Sequence, residues 1–272
     1  MVAFVALYPL GKTVYQSFTN QEFLAGLEPT KWVGLENYRE LWHDTIFRDS
    51  VWLTVKFTLI TVSFEFALGL IIALVVNSSF KGRGVMRAVM LVPWAIPTVV
   101  AAQMWKWMLD DVFGVVNAIL LRLHLISHPH AWISDPATSL ASVCAVDIWK
   151  TTPFVALLLL AGLQVIPQDL YEAADVDGAS QLQQFWRITL PLLRPAILVT
   201  LIFRTLDALR VFDVFNVFFG NRQDTQTMAI YAQSTIVGDG HVGYGAAVSV
   251  AIFLIISLFV VIYVALTRVT DE

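Results

Sequence analysis

Seven ionisable side chains sit inside stretches that are otherwise almost wholly apolar: Glu65, Asp147, Lys150, Arg204, Asp207, Arg210 and Asp213. Charge in such surroundings is costly, so each of these groups must meet a partner, a wet cavity or a polar solute. Two kinds of chemistry suit them: ion pairs that lock helices together, and donors and acceptors that pass a hydroxyl-rich solute across. Bond-making catalysis suits them poorly. The chain has no HExxH, no GxSxG and no paired cysteines, and its one cysteine, Cys144, reads as a small buried hydrophobe. Asp147 and Lys150 are three apart and can neighbour each other on one helix face. Arg204, Asp207, Arg210 and Asp213 also step by three. Each such step turns the face by about 60°, so adjacent members can pair while the series winds half round the helix. Glu65, in VSFEFALGL, reads as a helix-packing group, and Arg204 as structural.

The elements that must hold these groups follow from composition. Of 272 residues, 57% are hydrophobic and 14% charged, whereas soluble domains run nearer about one quarter charged. A bilayer core of about 30 Å takes roughly 20 apolar residues as helix. The runs 51–76, 85–109, 140–165, 195–219 and 244–266 meet that length. A sixth, at 2–18, is short and interrupted by Gly11 and Lys12, and reads as the end of a trimmed first span. A cleaved signal peptide would need a basic segment before it and a small-residue cleavage site after it. The expected fold is therefore all-α: a polytopic membrane protein of about six transmembrane helices, forming one domain over 1–272. Pro93 and Pro97 should kink the third span and Pro153 the fourth.

Orientation follows from lysine and arginine in short loops. The loop 78–87 carries Lys81, Arg83 and Arg87 with no acid, which makes it cytoplasmic. Counting outward puts 21–50, 110–139 and 220–243 outside and 171–194 inside, and Arg268 agrees. Trp105 and Trp107 precede Asp110 and should form an outer interfacial belt.

The segment 171–194, YEAADVDGASQLQQFWRITLPLLR, is polar between two of the most apolar runs. Pro167 suits a first helical position, and Asp169 and Glu172 suit the positive end of the helix dipole. Gly178 can take the left-handed conformation that ends a helix. Ser180 and Gln183 have the spacing of a capping box for a second helix, which Pro191 should end. Short side chains at Ala173, Ala174 and Ala179 would let another protein approach closely. A helix–turn–helix docking element over about 167–194 is expected.

Glu172-Ala173-Ala174, then Gly178, Ile188 and Leu190-Pro191, resembles the EAA loop of ATP-binding-cassette importer permeases, with every motif position filled. YPLGKTVYQSF, WVGLENY, FKGRGVMRAVMLVPWAIPTVVAAQMWKWM and FRTLDALRVFDVF are similar to the carbohydrate branch of that family, the maltose- and glycerol-phosphate-permease-like subunits. LDALRVFDVFNVFFGN is similar to permease subunits of trehalose importers. Where relatives often carry TGGGP after the fifth span, this chain has FGNRQDT. The resemblance implies a multi-pass permease in a bacterial-type inner membrane. It implies coupling to an ATPase dimer through Glu172, Ala173, Ala174, Asp177, Gly178, Ile188, Leu190 and Pro191. It also implies a second permease subunit and an extracytoplasmic binding protein as partners, and a sugar as solute, with trehalose as one case. ATP and magnesium would bind the partner ATPase; no cofactor is expected in this chain, and no enzyme activity.

A sugar pathway needs groups that bond hydroxyls and aromatic faces on which a pyranose can stack. The fourth and fifth spans offer Asp147, Trp149, Lys150, Asp207, Arg210, Phe212, Asp213 and Asn216. The alternative is a self-contained ion-coupled carrier using the intramembrane acids, but carriers usually show internal repeats and more spans. Several weaker signals are set aside. GDGHVGYG at 238–245 contains a GxGxxG with no βαβ unit around it, and reads as a flexible outer turn. Gly11-Lys12-Thr13 lacks the upstream glycine of a phosphate loop. His128 and His130 read as solvated loop residues. A formal net charge of −4 weighs against nucleic acid.

Overall fold

The computed structural model describes residues 2–23, 29–78 and 81–268. Parts of the expected outer loop (24–28) and basic loop (79–80) lie outside those residues, as does the side chain of Arg268. The helices, in chain order, are α1 (Val2–Gln16), α2 (Glu36–His43), α3 (Thr45–Asn77), α4 (Arg83–Met90), α5 (Val92–Ala95), α6 (Thr98–Met108) and α7 (Val115–Arg122). They continue with α8 (Pro136–Leu163), α9 (Asp169–Val176), α10 (Gln181–Gln184), α11 (Leu190–Leu209), α12 (Asp213–Phe219), α13 (Met228–Gln233) and α14 (Val242–Arg268). Among the described residues no strand forms, and one isolated bridge joins Thr19 to Trp32.

Each expected span is helical. Helices α3 and α8, the run Gln181–Phe219 and Val242–Tyr263 are long and apolar enough to cross a bilayer. The third expected run is sharply bent: Arg83–Ala95 and Thr98–Met108 meet at 87°. Pro97 stands at that bend with ψ 138°, extended, as the N-cap of α6. By contrast, α8 runs on through Pro153. Its start is well specified: Asp135 accepts the Ala137 N–H and Pro136 takes the first turn. The 2–18 segment forms α1, 15 residues long, and contains the Gly11-Lys12-Thr13 triplet.

The chain divides into two compact units, residues 1–56 with 209–272, and residues 57–208. In the first, Leu41, Phe47, Tyr231 and Val248 form the buried core. Gly243 and Gly245 open α14 here, and the turn before it is tied down rather than flexible. The Phe23 N–H donates to Gly240 O at 2.8 Å, and the Gly243 N–H to Gln21 O at 2.8 Å. A Cβ on Gly243 would strike the Thr19 carbonyl, and one on Gly245 the Ile236 side chain. These glycines serve close backbone approach. In the second unit, Ala73, Val76, Val155, Leu159, Leu160, Leu163 and Leu193 make the core. Cys144 is buried there, as expected.

Candidate functional site

The polar segment folds as two short arms, α9 and α10, about Gly178. Gly178 has φ +75°, where a Cβ is disfavoured, and the N–H groups of Gly178 and Ala179 return to Asp175 O (3.1 Å) and Ala174 O (2.9 Å). Asp169 and Glu172 occupy the first turn of α9. Pro167 falls just outside it, because Gln168 is the N-cap. Ser180 and Gln183 form the capping box: the Ser180 N–H donates to Gln183 Oε1 at 2.8 Å, and the Gln183 N–H to Ser180 Oγ at 3.4 Å. Side chains staple the arms. Gln184 Nε2 donates to Asp175 Oδ1 at 2.6 Å, and the Tyr171 and Thr189 hydroxyls share a bond of 2.9 Å. Outward, Glu172, Ala173, Asp177 and Gly178 are exposed, and Val176, Leu182 and Trp186 stand beside them. Ala174, Ile188, Leu190 and Pro191 are half-buried.

Pro191 does not end the second arm. Helix α10 passes into a five-residue π-turn, Phe185–Thr189, and then directly into α11. The Leu190 N–H reaches back five residues to Phe185 O, and Thr189 Oγ1 donates to Gln184 O at 3.5 Å. The widened turn places Pro191 in the opening turn of α11, where its ring and missing donor are tolerated. The arm and the helix bearing Arg204 and Asp207 are thus one continuous rod.

Within that same unit, Arg204 of α11 gathers three carboxylates. It is 2% exposed, Glu65 of α3 is 0% and Asp147 of α8 is 8%. Nε and Nη2 of Arg204 grip both oxygens of Glu65, the Nη2–Oε1 bond being 2.9 Å. Nη2 also donates to Asp147 Oδ2, and Nη1 reaches Asp207 Oδ2 at 3.0 Å. The planar fork suits this, because one guanidinium can hold several carboxylates with fixed geometry. The fourth member differs: the Asp207 side chain is 78% exposed. Asp147 turns to Arg204 rather than pairing with Lys150, whose Nζ lies 3.5 Å from Trp94 O, at the bend in the third expected run.

Of the proposed pathway residues, then, Asp147 and Asp207 meet through Arg204. Trp149 is half-buried with its ring against Trp105, centroids 5.4 Å apart. Trp105 is therefore turned inward, and of the expected tryptophan belt only Trp107 is exposed. Arg210, Phe212, Asp213 and Asn216 belong to the other compact unit, at the break between α11 and α12 and in the first turns of α12. Arg210, Asp213 and Asn216 are exposed and Phe212 half-buried. His130 is built into its loop, with Nε2 3.2 Å from Thr138 Oγ1.

One cluster has no signal in sequence spacing. Asp44 caps α3, accepting the N–H groups of Ile46 (2.8 Å) and Phe47 (3.1 Å), and also takes the hydroxyls of Tyr231 and Tyr244. Those tyrosines are 187 and 200 residues away. Burial pushes the Asp44 carboxyl up, but these hydrogen bonds prevail and hold it below the ordinary carboxylate value. Burial, then the bond to Asp44, pushes the Tyr231 phenol up to about 12. A cleft of about 400 Å³ adjoins them, with Glu40, His43, Asp239 and His241 on its walls.

Residues 65–271 match the family described as the inner membrane component of binding-protein-dependent transport systems. The chain belongs to this family. The permease is 40% identical over its whole length to the sulfoquinovosyl glycerol transport system permease protein SmoG of Agrobacterium fabrum, covering 88% of that protein. It is 44% identical over 87% of its length to the trehalose/maltose transport system permease protein MalF of Thermococcus litoralis, covering 80% of it. Its fold is that of a bacterial ABC transporter involved in the import of the acidic polysaccharide alginate. The TM-score is 0.86 at 22% identity, over 99% of this chain and 92% of that one. The permease is accordingly a multi-pass inner-membrane subunit of an ABC importer.

Proposed function

We propose that the permease forms, with a second permease subunit, the pathway for a sugar handed over by an extracytoplasmic binding protein. A disaccharide of the trehalose or maltose kind is the favoured solute. The transport systems named for the relatives, carrying sulfoquinovosyl glycerol and trehalose or maltose, support that class. An ATPase dimer, which binds ATP and magnesium, docks on the hairpin at 167–194, and this chain makes and breaks no bonds itself. The observation that carries the reading is the hairpin: internally stapled, capped at both arms, and exposing Glu172, Ala173, Val176 and Trp186. Movement pressed on it would travel through the π-turn into α11. There, exposed Asp207 would offer its free carboxylate edge to sugar hydroxyls while Arg204 holds the other.

Gly178→Pro tests this, because proline cannot adopt a φ of +75°. The variant should insert normally, lose co-purification of the ATPase and lose uptake. Deletion of 172–174 should do the same. Undiminished recovery of the ATPase together with normal uptake would sink the docking role.

A further inference from the structure

Helix α7 is built inside out for a helix in water. Its inward face carries the polar group: Asn117 is 2% exposed, and its Nδ2 donates to the carbonyls of Asp111 (3.2 Å) and His130 (3.0 Å). Its Oδ1 accepts from the His130 N–H (3.1 Å) and Trp132 Nε1 (2.9 Å). Its outward face is apolar. Val115, Ala118 and Ile119 are exposed at helical spacing, preceded by Val112 and Phe113, the latter 89% exposed. A surface helix in water shows the opposite pattern, and an apolar stripe of this kind marks a surface that something covers.

We propose that α7 is an interfacial helix, and that this stripe lies in the bilayer surface at the C-terminal end of α6, in contact with phospholipid. Three observations select lipid over a protein partner. The stripe is continuous with the exposed apolar face of α6, because Val115 shares a groove of about 650 Å³ with Val99, Val100, Met104 and Trp107. Trp107, 74% exposed, marks the level where the span meets the headgroups. Apart from Gln103, the groove is lined by bulky apolar side chains, and no glycine or serine is among them, whereas helices packing on helices in membranes favour small residues. The second unit shows that contrast: Gly69 of α3 lies against Val155, and Gly162 of α8 against Ala196. Exposed Arg122, one turn beyond Ile119, adds a cation for the lipid phosphates. Asn117 ties this anchored helix to the loop that starts α8, so the bilayer surface would position that loop.

A benzophenone amino acid placed at Ile119, and separately at Phe113, in the intact importer in native membranes tests the proposal. After irradiation, phospholipid adducts are expected at both positions, within about threefold of the yield at Ile71, exposed mid-span on α3. Cross-links to the second permease or the binding protein at these positions would overturn it. So would the absence of adducts at both while Ile71 is labelled, which would mean the stripe faces water.

Discussion

The hairpin at 167–194 and the cluster around Arg204 are both polar structures in a greasy chain, yet they are held in opposite ways. The hairpin's bonds are local, linking residues between 3 and 18 apart, and most are at least partly exposed. The cluster's main bonds join residues 57 and 139 apart and are fully buried. A local, wet structure can be broken without disturbing the helices around it. A buried one cannot, because removing one charge strands the others. The permease thus separates a locally held hairpin, the proposed docking element, from a fixed anchor, and joins them by the rod that runs from α10 into α11.

The sharpest way to break the contrast is Arg204→Ala. It leaves Glu65 and Asp147 without their cation in a buried site, and should destabilise the fold by about 3–5 kcal/mol. Thermal unfolding in detergent would show the loss, while Gly178→Pro should leave the melting temperature almost unchanged. Equal destabilisation by both would erase the distinction.

Asp207→Asn sits between these extremes. Its exposed carboxylate contributes little to the anchor, so melting should hardly move, whereas uptake should fall by about tenfold, equivalent to roughly 1.4 kcal/mol of solute interaction. A destabilised variant whose folded fraction transports at the normal rate would make Asp207 a fourth structural member instead.

Tyr244→Phe should have the smallest effect, about 1 kcal/mol for one hydrogen bond to Asp44. Its pH dependence follows from the depressed Asp44 value. A carboxyl whose folded pKa lies below its unfolded one stabilises the fold above the unfolded value and loses that contribution as pH falls through the folded one. The difference between wild type and Tyr244→Phe should therefore be full at neutral pH and shrink below about pH 4. A difference that persists in acid would show the phenol, not the carboxylate, to be the important partner.

What could be read in advance follows the same division. Gly178, Ser180 and Gln183 act within one turn of chain, so their roles are visible in their spacing. Four of the apolar runs fall on helices long enough to cross a bilayer, because length and composition alone decide that; the run at 85–109 is bent and that at 2–18 forms a helix of 15 residues. Pro191 misled because the π-turn that accommodates it depends on a bond from Leu190 back to Phe185, a register that residue types do not announce. Similarly, Asp147 had Lys150 three residues away as an evident partner, but the fold delivered Arg204 from another helix. Gly243 and Gly245 looked like freedom and are instead contact points. The bond from Tyr244 to Asp44 spans 200 residues, and no local pattern contains it.

The central claim is that docking and transport are joined mechanically through the continuous helix at Pro191. Replacing Leu190 and Pro191 together with glycine puts a flexible joint there, the Leu190 change costing about 1 kcal/mol in helix propensity. Uptake and ATP hydrolysis should be measured in the same proteoliposomes containing the full importer. The expected result is normal recovery and turnover of the ATPase, with sugar taken up per ATP reduced by about tenfold or more. Uptake per ATP at the wild-type level would contradict the claim.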